Sequence, residues 1–111
     1  IESENKLNEF TGKVNREIFR SNLIISGCDP FEEFSWIGKK IQIGSLIFKV
    51  FKAIPRCNAV NCNLDKGIYD QNILKILPKL NSIDIPSFGI KLELISNGGE
   101  ITENEEIKII N

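Results

Sequence analysis

A mainly β domain carrying one or two short helices is what this sequence predicts, on three observations. Short runs of β-branched and aromatic residues recur along the chain. Glycine-bearing turns separate them, at Gly27, Gly38, Gly44 and Asn97-Gly98-Gly99. Only residues 1–17 and 72–80 place apolar side chains at helical spacing. About five to seven short strands with turns of this kind suggest a barrel or a sandwich. A length of 111 residues suits one domain. We divide it into a leader or short helix, 1–17, and a β body, 18–111.

The elements follow in order. Leu7, Phe10 and Val14 fit a short amphipathic helix ending near Gly12. Ile18–Ser26 reads as a strand with Arg20 and Asn22 as its polar positions, both on one side. Gly27 to Pro30 turns the chain. Phe31–Trp36 packs three aromatic rings into six residues, as a loop or one helical turn plugging a core. Lys40–Ile43 and the run from Leu46 form a hairpin around Gly44-Ser45. Pro55 stops the second ladder because it has no N–H to donate. Cys57–Cys62 is expected to resume as a strand, and Asp65-Lys66-Gly67 to turn. Ile73, Leu74, Ile76, Leu77 and Leu80 share a helical face within 72–80, with Pro78 expected to kink or end the helix. Phe88–Ser96 alternates as a strand, and Asn97-Gly98-Gly99 is expected to close a hairpin onto a last strand, Glu105–Ile110.

Composition excludes several functions. There is no histidine, so neither a Ser-His-Asp nor a Cys-His catalytic set can form within the chain, and no metal can be His-ligated. Lys+Arg number 14 and Asp+Glu 15, with no basic stripe, which argues against nucleic acid. No apolar run approaches the roughly 20 residues of a membrane span. Cys28, Cys57 and Cys62 are an odd number without a CxxC pair, fitting neither a zinc ribbon nor a disulfide framework. Unpaired thiols point to a reducing compartment, most simply the cytoplasm. The chain starts at Ile1 and has no Met, so it is expected to be processed or a fragment.

Chemistry concentrates at Pro55-Arg56-Cys57, where a strand end sets a cation beside a thiol. A neighbouring cation lowers a thiol pKa and favours the reactive thiolate. Taken alone, a cysteine beside an apolar strand is more often an inert core residue. Arg20 with Asn22 suits an anionic or heteroaromatic ligand, since Arg presents a planar fork of donors, or else is a solvated surface. Cys28 and Cys62 are weaker candidates for a soft metal. Asp29, Glu32 and Glu33 could act as acid or base, but read first as a solvated rim.

Taken together, FRSNLIISGCDPFEEFSWIGKKIQIG, then PRC, then FGIKLELISNGGEITENEEIKI resembles the MOSC domain, the C-terminal module of molybdenum cofactor sulfurase. The matching positions are Phe19, Arg20, Asn22, Pro30, Phe31, Glu33, Trp36, Ile43, Gly44, Arg56, Cys57, Gly99 and Ile101, and the match runs from about Val14 to Ile109. The resemblance implies a MOSC-like β-barrel that binds the molybdenum cofactor (molybdopterin with Mo). It implies Cys57 as the catalytic residue, either ligating the metal or carrying a persulfide. It implies Arg20, Asn22, Arg56 and Asn61 as cofactor contacts. Pyridoxal phosphate binding is a further implication at family level. The amidoxime-reducing members imply an oxidoreductase that reduces N-hydroxylated or N-oxide-type small molecules with electrons from a partner protein. A sulfur carrier using a Cys57 persulfide is the alternative, and a non-enzymatic β module binding an anionic ligand is a third. The chain departs from the family where hydroxyl residues follow Arg-Cys, reading Val60, Asn61 and Asn63, and at the closing Gly-Asp, here Asn104-Glu105. Family strands that would lie upstream of Ile1 are missing, which implies an exposed edge and an incomplete pocket. Two expectations follow. Arg20, Asn22 and Cys57 should share one cleft, and the 72–80 helix should cover a barrel opening.

Overall fold

The computed structural model describes residues 1–110. Its centre is a four-stranded antiparallel sheet. β1 (Lys40–Ile43) and β2 (Leu46–Pro55) form the expected hairpin, in the register Ile43↔Leu46 and Ile41↔Phe48. β3 (Ser87–Leu94) pairs along the far side of β2, and β4 (Ile107–Ile109) along the far side of β1. The order is therefore β3-β2-β1-β4. The mainly β architecture holds, but the sheet stays open with β3 and β4 as its edges rather than closing into a barrel.

That order corrects the expected hairpin at Asn97-Gly98-Gly99. β3 and β4 lie on opposite edges, so residues 95–106 must cross from one edge to the other. The crossing is held at the β1–β2 turn. Ile47 N–H donates to Ser96 Oγ at 3.0 Å, and a Cβ on Gly99 would come within 3.1 Å of Leu46 Cδ2.

Helix α1 (Glu2–Thr11) begins with Glu2 and Glu4, whose charge suits the positive end of the helix dipole, and stops at Gly12 with φ 76°. Leu7 is fully buried, whereas Phe10 is 59% exposed, so the predicted apolar stripe is anchored by Leu7 alone within the helix. Helix α2 (Ile73–Asn81) buries Ile73 and Leu77, one turn apart, against Leu7, Val14, Phe19, Val60 and Phe88. Pro78 does not end it. The helix runs on to Asn81 and closes on Ser82 in the left-handed region, whose N–H returns to Pro78 O. With no barrel opening to cover, α2 packs instead on α1 and the sheet's helix-side core. A second core forms at the sheet from Trp36, Ile41, Ile43 and Val50.

Two expected strands are absent. Residues 16–19 form a 3₁₀ turn because Asn15 Oδ1 accepts the Glu17 N–H at 3.0 Å and caps it. Arg20 then adopts the left-handed conformation, φ 52°, with its N–H on Glu17 O. A left-handed residue other than glycine breaks an extended run, and residues 21–26 join no strand. Arg20 and Asn22 are therefore not strand neighbours on a common face. Likewise Asn58–Asn61 is a 3₁₀ turn and not a resumed strand. Its Val60 is buried, which draws the chain after Cys57 inward towards α2.

Candidate functional site

The rim at the end of β2 is built by sheet irregularity. The β2–β3 register shifts between Val50 and Lys52 and again between Ala53 and Pro55. Bulges of this kind increase local twist and re-aim the side chains beyond them. Pro55 is the last paired residue, opposite Ser87. Arg56 follows, half-buried, its N–H donating to Pro86 O at 2.7 Å. Cys57 comes next in an extended conformation, exposed, at the head of the 58–61 turn. Cys57 is thus not sealed in a core.

The Arg56 side chain runs across this rim. Nε and Nη2 donate to Phe88 O at 2.9 and 2.6 Å, and Nη1 donates to Phe19 O at 2.9 Å. The guanidinium lies 5.4 Å from the Phe19 ring centroid. Phe19 stacks on Phe88 at 4.0 Å and 12°, and Phe31 meets Phe88 edge-on. Burial lowers the Arg56 pKa, and the adjacent Cys57 opposes that shift. The corner that carries Arg20 is therefore fastened to the residue before Cys57. Arg20 and Asn22 themselves are exposed.

Asn61 is tied to its neighbours on both side-chain atoms. Its Oδ1 accepts the Leu74 N–H at 3.0 Å, satisfying a donor of the first turn of α2, and its Nδ2 donates to Asn58 Oδ1. Glu33 departs from the solvated-rim reading. It is 7% exposed and accepts from Ser3 Oγ at 3.1 Å, while Ser3 Oγ accepts the Phe31 N–H at 2.7 Å. Asp29 and Glu32 are exposed as expected. Cys28 is half-buried against the second core. Desolvation, then the nearby Glu33, Glu32 and Glu2, pushes its thiol pKa up, which makes it a poor nucleophile.

Sequence reasoning missed Gly89 and Ser3. Gly89 has φ 82°, and a Cβ there would lie 3.3 Å from Arg56 Nη2. An isolated Gly inside the alternating Phe88–Ser96 pattern was the available signal of a close approach. Ser3 carried no signal, being 30 positions from Glu33.

Among the described residues no group of three or more His, Cys, Asp or Glu could hold a metal ion. One exposed thiol does not suit a bare ion, but it fits a soft metal whose other ligands arrive on an organic cofactor. Two surface cavities lie elsewhere. The larger, about 430 Å³, sits between the end of α1 and the start of α2. The smaller, about 200 Å³, sits at Gln42, Glu105 and Lys108. Cys57, Arg20 and Asn22 line neither of these, and all three are exposed.

The sequence matches the MOSC domain over residues 1–108. The chain belongs to the MOSC domain family. Human mitochondrial amidoxime reducing component 2 is 39% identical over 59 residues, 53% of this chain and 17% of that protein. Mouse mitochondrial amidoxime-reducing component 1 is 33% identical over 73 residues, 62% of this chain and 21% of that protein. Rice molybdenum cofactor sulfurase is 41% identical over 49 residues, 44% of this chain and 6% of that protein. The chain thus matches about a fifth or less of the length of these curated relatives. The family and its relatives are molybdenum-cofactor-related. Among the described residues no helix is long and apolar enough to cross a membrane.

Proposed function

We propose that this MOSC domain serves a molybdenum-cofactor-dependent oxidoreductase that reduces N-hydroxylated or N-oxide-type small molecules. The observation that carries the reading is the exposed Cys57 at the exit of β2, next in sequence to Arg56, whose side chain reaches the Phe19 carbonyl. Cys57 would ligate the metal through its sulfur, and Arg20 and Asn22 would hold the anionic pterin from the exposed corner. When bound, the cofactor supplies a metal that can take oxygen from the substrate. Removing oxygen from N–OH consumes two electrons and two protons and releases water, so a separate electron-donating protein must supply the electrons. The chain's own part is to bind and orient. The Phe19–Phe88 stack backs the rim with apolar surface, and Arg56 sets its width. The free thiols suit a reducing compartment, which the cytoplasm provides; relatives named as mitochondrial make the mitochondrion the alternative.

The similarity to a molybdenum cofactor sulfurase favours a second reading, in which Cys57 carries a persulfide. One experiment separates the two. Intact protein from a cofactor-making host is supplied with an amidoxime and a chemically reduced viologen dye. Amidoxime-dependent dye oxidation that Cys57→Ala abolishes supports the reductase. No turnover, with cyanide-releasable sulfur lost in Cys57→Ala, supports the carrier.

A further inference from the structure

Arg56 stands next to Cys57 in a motif that invites an anion-binding role, but its hydrogen bonds point to a different one. A guanidinium offers five N–H donors in a fixed planar fork. Here three of the five go to main-chain carbonyls, one each from Nε and Nη2 to Phe88 O and one from Nη1 to Phe19 O. The face of the guanidinium is covered by Phe19. Gly89 leaves the space that Nη2 fills, since any side chain there would crowd it at 3.3 Å. The two carbonyls belong to segments far apart in sequence, the Arg16–Phe19 turn and the start of β3. Arg20 lies one peptide beyond the first carbonyl, and Cys57 one peptide beyond Arg56 itself. Each end of this strap is thus next to a residue assigned to the cofactor.

We propose that Arg56 is a positioning residue that fixes the Phe19–Arg20 corner relative to Cys57 through the carbonyls of Phe19 and Phe88, and is not itself an anion ligand. The proposal rests on the reading of that rim as the cofactor site. Lysine keeps the charge but, as a single point donor on a flexible stem, cannot span both carbonyls. A contact made through charge alone would tolerate that exchange; a strap does not.

The test uses ¹⁵N-labelled chain, reading the arginine Nε–H signals while inorganic phosphate is added as the probe anion. The Arg56 Nε–H is expected to exchange with water at least about tenfold more slowly than that of Arg20. It should also stay in place through the titration while the Arg20 signal moves. Arg56→Lys is expected to weaken phosphate binding by about tenfold or more, whereas loss of a mere charge would be rescued to within about threefold. A shift of the Arg56 signal with phosphate, a fast-exchanging Arg56 Nε–H, or rescue by lysine would overturn the proposal. If Arg56→Lys does not fold, the wild-type titration decides alone. A static Arg20 signal with a protected Arg56 would count against the cofactor reading and still support the strap.

Discussion

Ser3→Ala removes a hydroxyl that serves two groups at once, the buried Glu33 carboxylate and the half-buried Phe31 N–H. Ser3 and Glu33 are each 7% exposed. The hydroxyl donates to the Glu33 carboxylate at 3.1 Å and accepts the Phe31 N–H at 2.7 Å. Alanine leaves both partners without that contact. An orphaned buried polar group costs about 1–3 kcal/mol. The better helix propensity of alanine returns roughly 0.5 kcal/mol. Phe31 is only half-buried, so water can reach part of the deficit. The net loss should be about 2–4 kcal/mol, which for a chain of this size lowers Tm by roughly 8–16 °C. Circular dichroism melts read this directly. Ser35→Ala is the control, because its hydroxyl bonds an exposed carbonyl, Glu32 O at 2.7 Å, and should change Tm by less than about 2 °C. If Ser3→Ala melts within about 2 °C of wild type, the Ser3–Glu33 contact does not fasten α1 to the aromatic loop.

Further outcomes follow from single contacts. Gly89→Ala should destabilise by about 1–2 kcal/mol from its left-handed backbone alone, with more from crowding Arg56 Nη2, measured by urea unfolding. Pro78→Ala supplies α2 with the N–H that proline lacks and should raise stability by about 1–3 kcal/mol in the same assay; no gain would show that Pro78 carries no net cost in α2. At mildly alkaline pH, iodoacetamide should label Cys57 at least about tenfold faster than Cys28, by peptide mapping, because Cys57 is exposed and the Cys28 thiol is pushed up by burial and carboxylates. By linkage, a raised thiol pKa stabilises the fold below the ordinary thiol value and loses that contribution as pH rises through the folded value. The Glu2 carboxylate shifts the other way. The Gly27 N–H holds its pKa below 4.5, so its stabilisation is present above that value and is lost as pH falls through the folded value. Glu2→Gln should accordingly flatten the dependence of Tm on pH in the acid range, and an unchanged slope would exclude Glu2 as its source.

Where neighbours in sequence are neighbours in space, the fold was legible. β1, β2, the Gly12 stop of α1 and most of α2 followed from periodicity and turn residues. Ile18–Ser26 misled because its apolar run resembles a strand, while the deciding facts were the Asn15 cap and the left-handed Arg20. The final hairpin misled because Asn-Gly-Gly is permissive for a turn without requiring one, and the edge next to β1 was where β4 could pair. At the site, the residue types at the β2 exit were legible, but their division of labour was not. Whether an arginine faces an anion or two carbonyls depends on Phe19 and Phe88, 37 and 32 positions away. The contact of Asn61 Oδ1 with the Leu74 N–H, 13 positions on, was likewise not legible.

Molybdenum per chain is the quantity on which the reading turns. Elemental analysis of the intact protein from a host that makes the cofactor should find about one molybdenum per chain, as expected for a single thiolate-ligated site. Cys57→Ala should fall to near zero with its Tm unchanged, since the residue is exposed and outside both cores. Wild-type protein without molybdenum, or a Cys57→Ala variant that retains it in full, would contradict Cys57 as the metal's anchor.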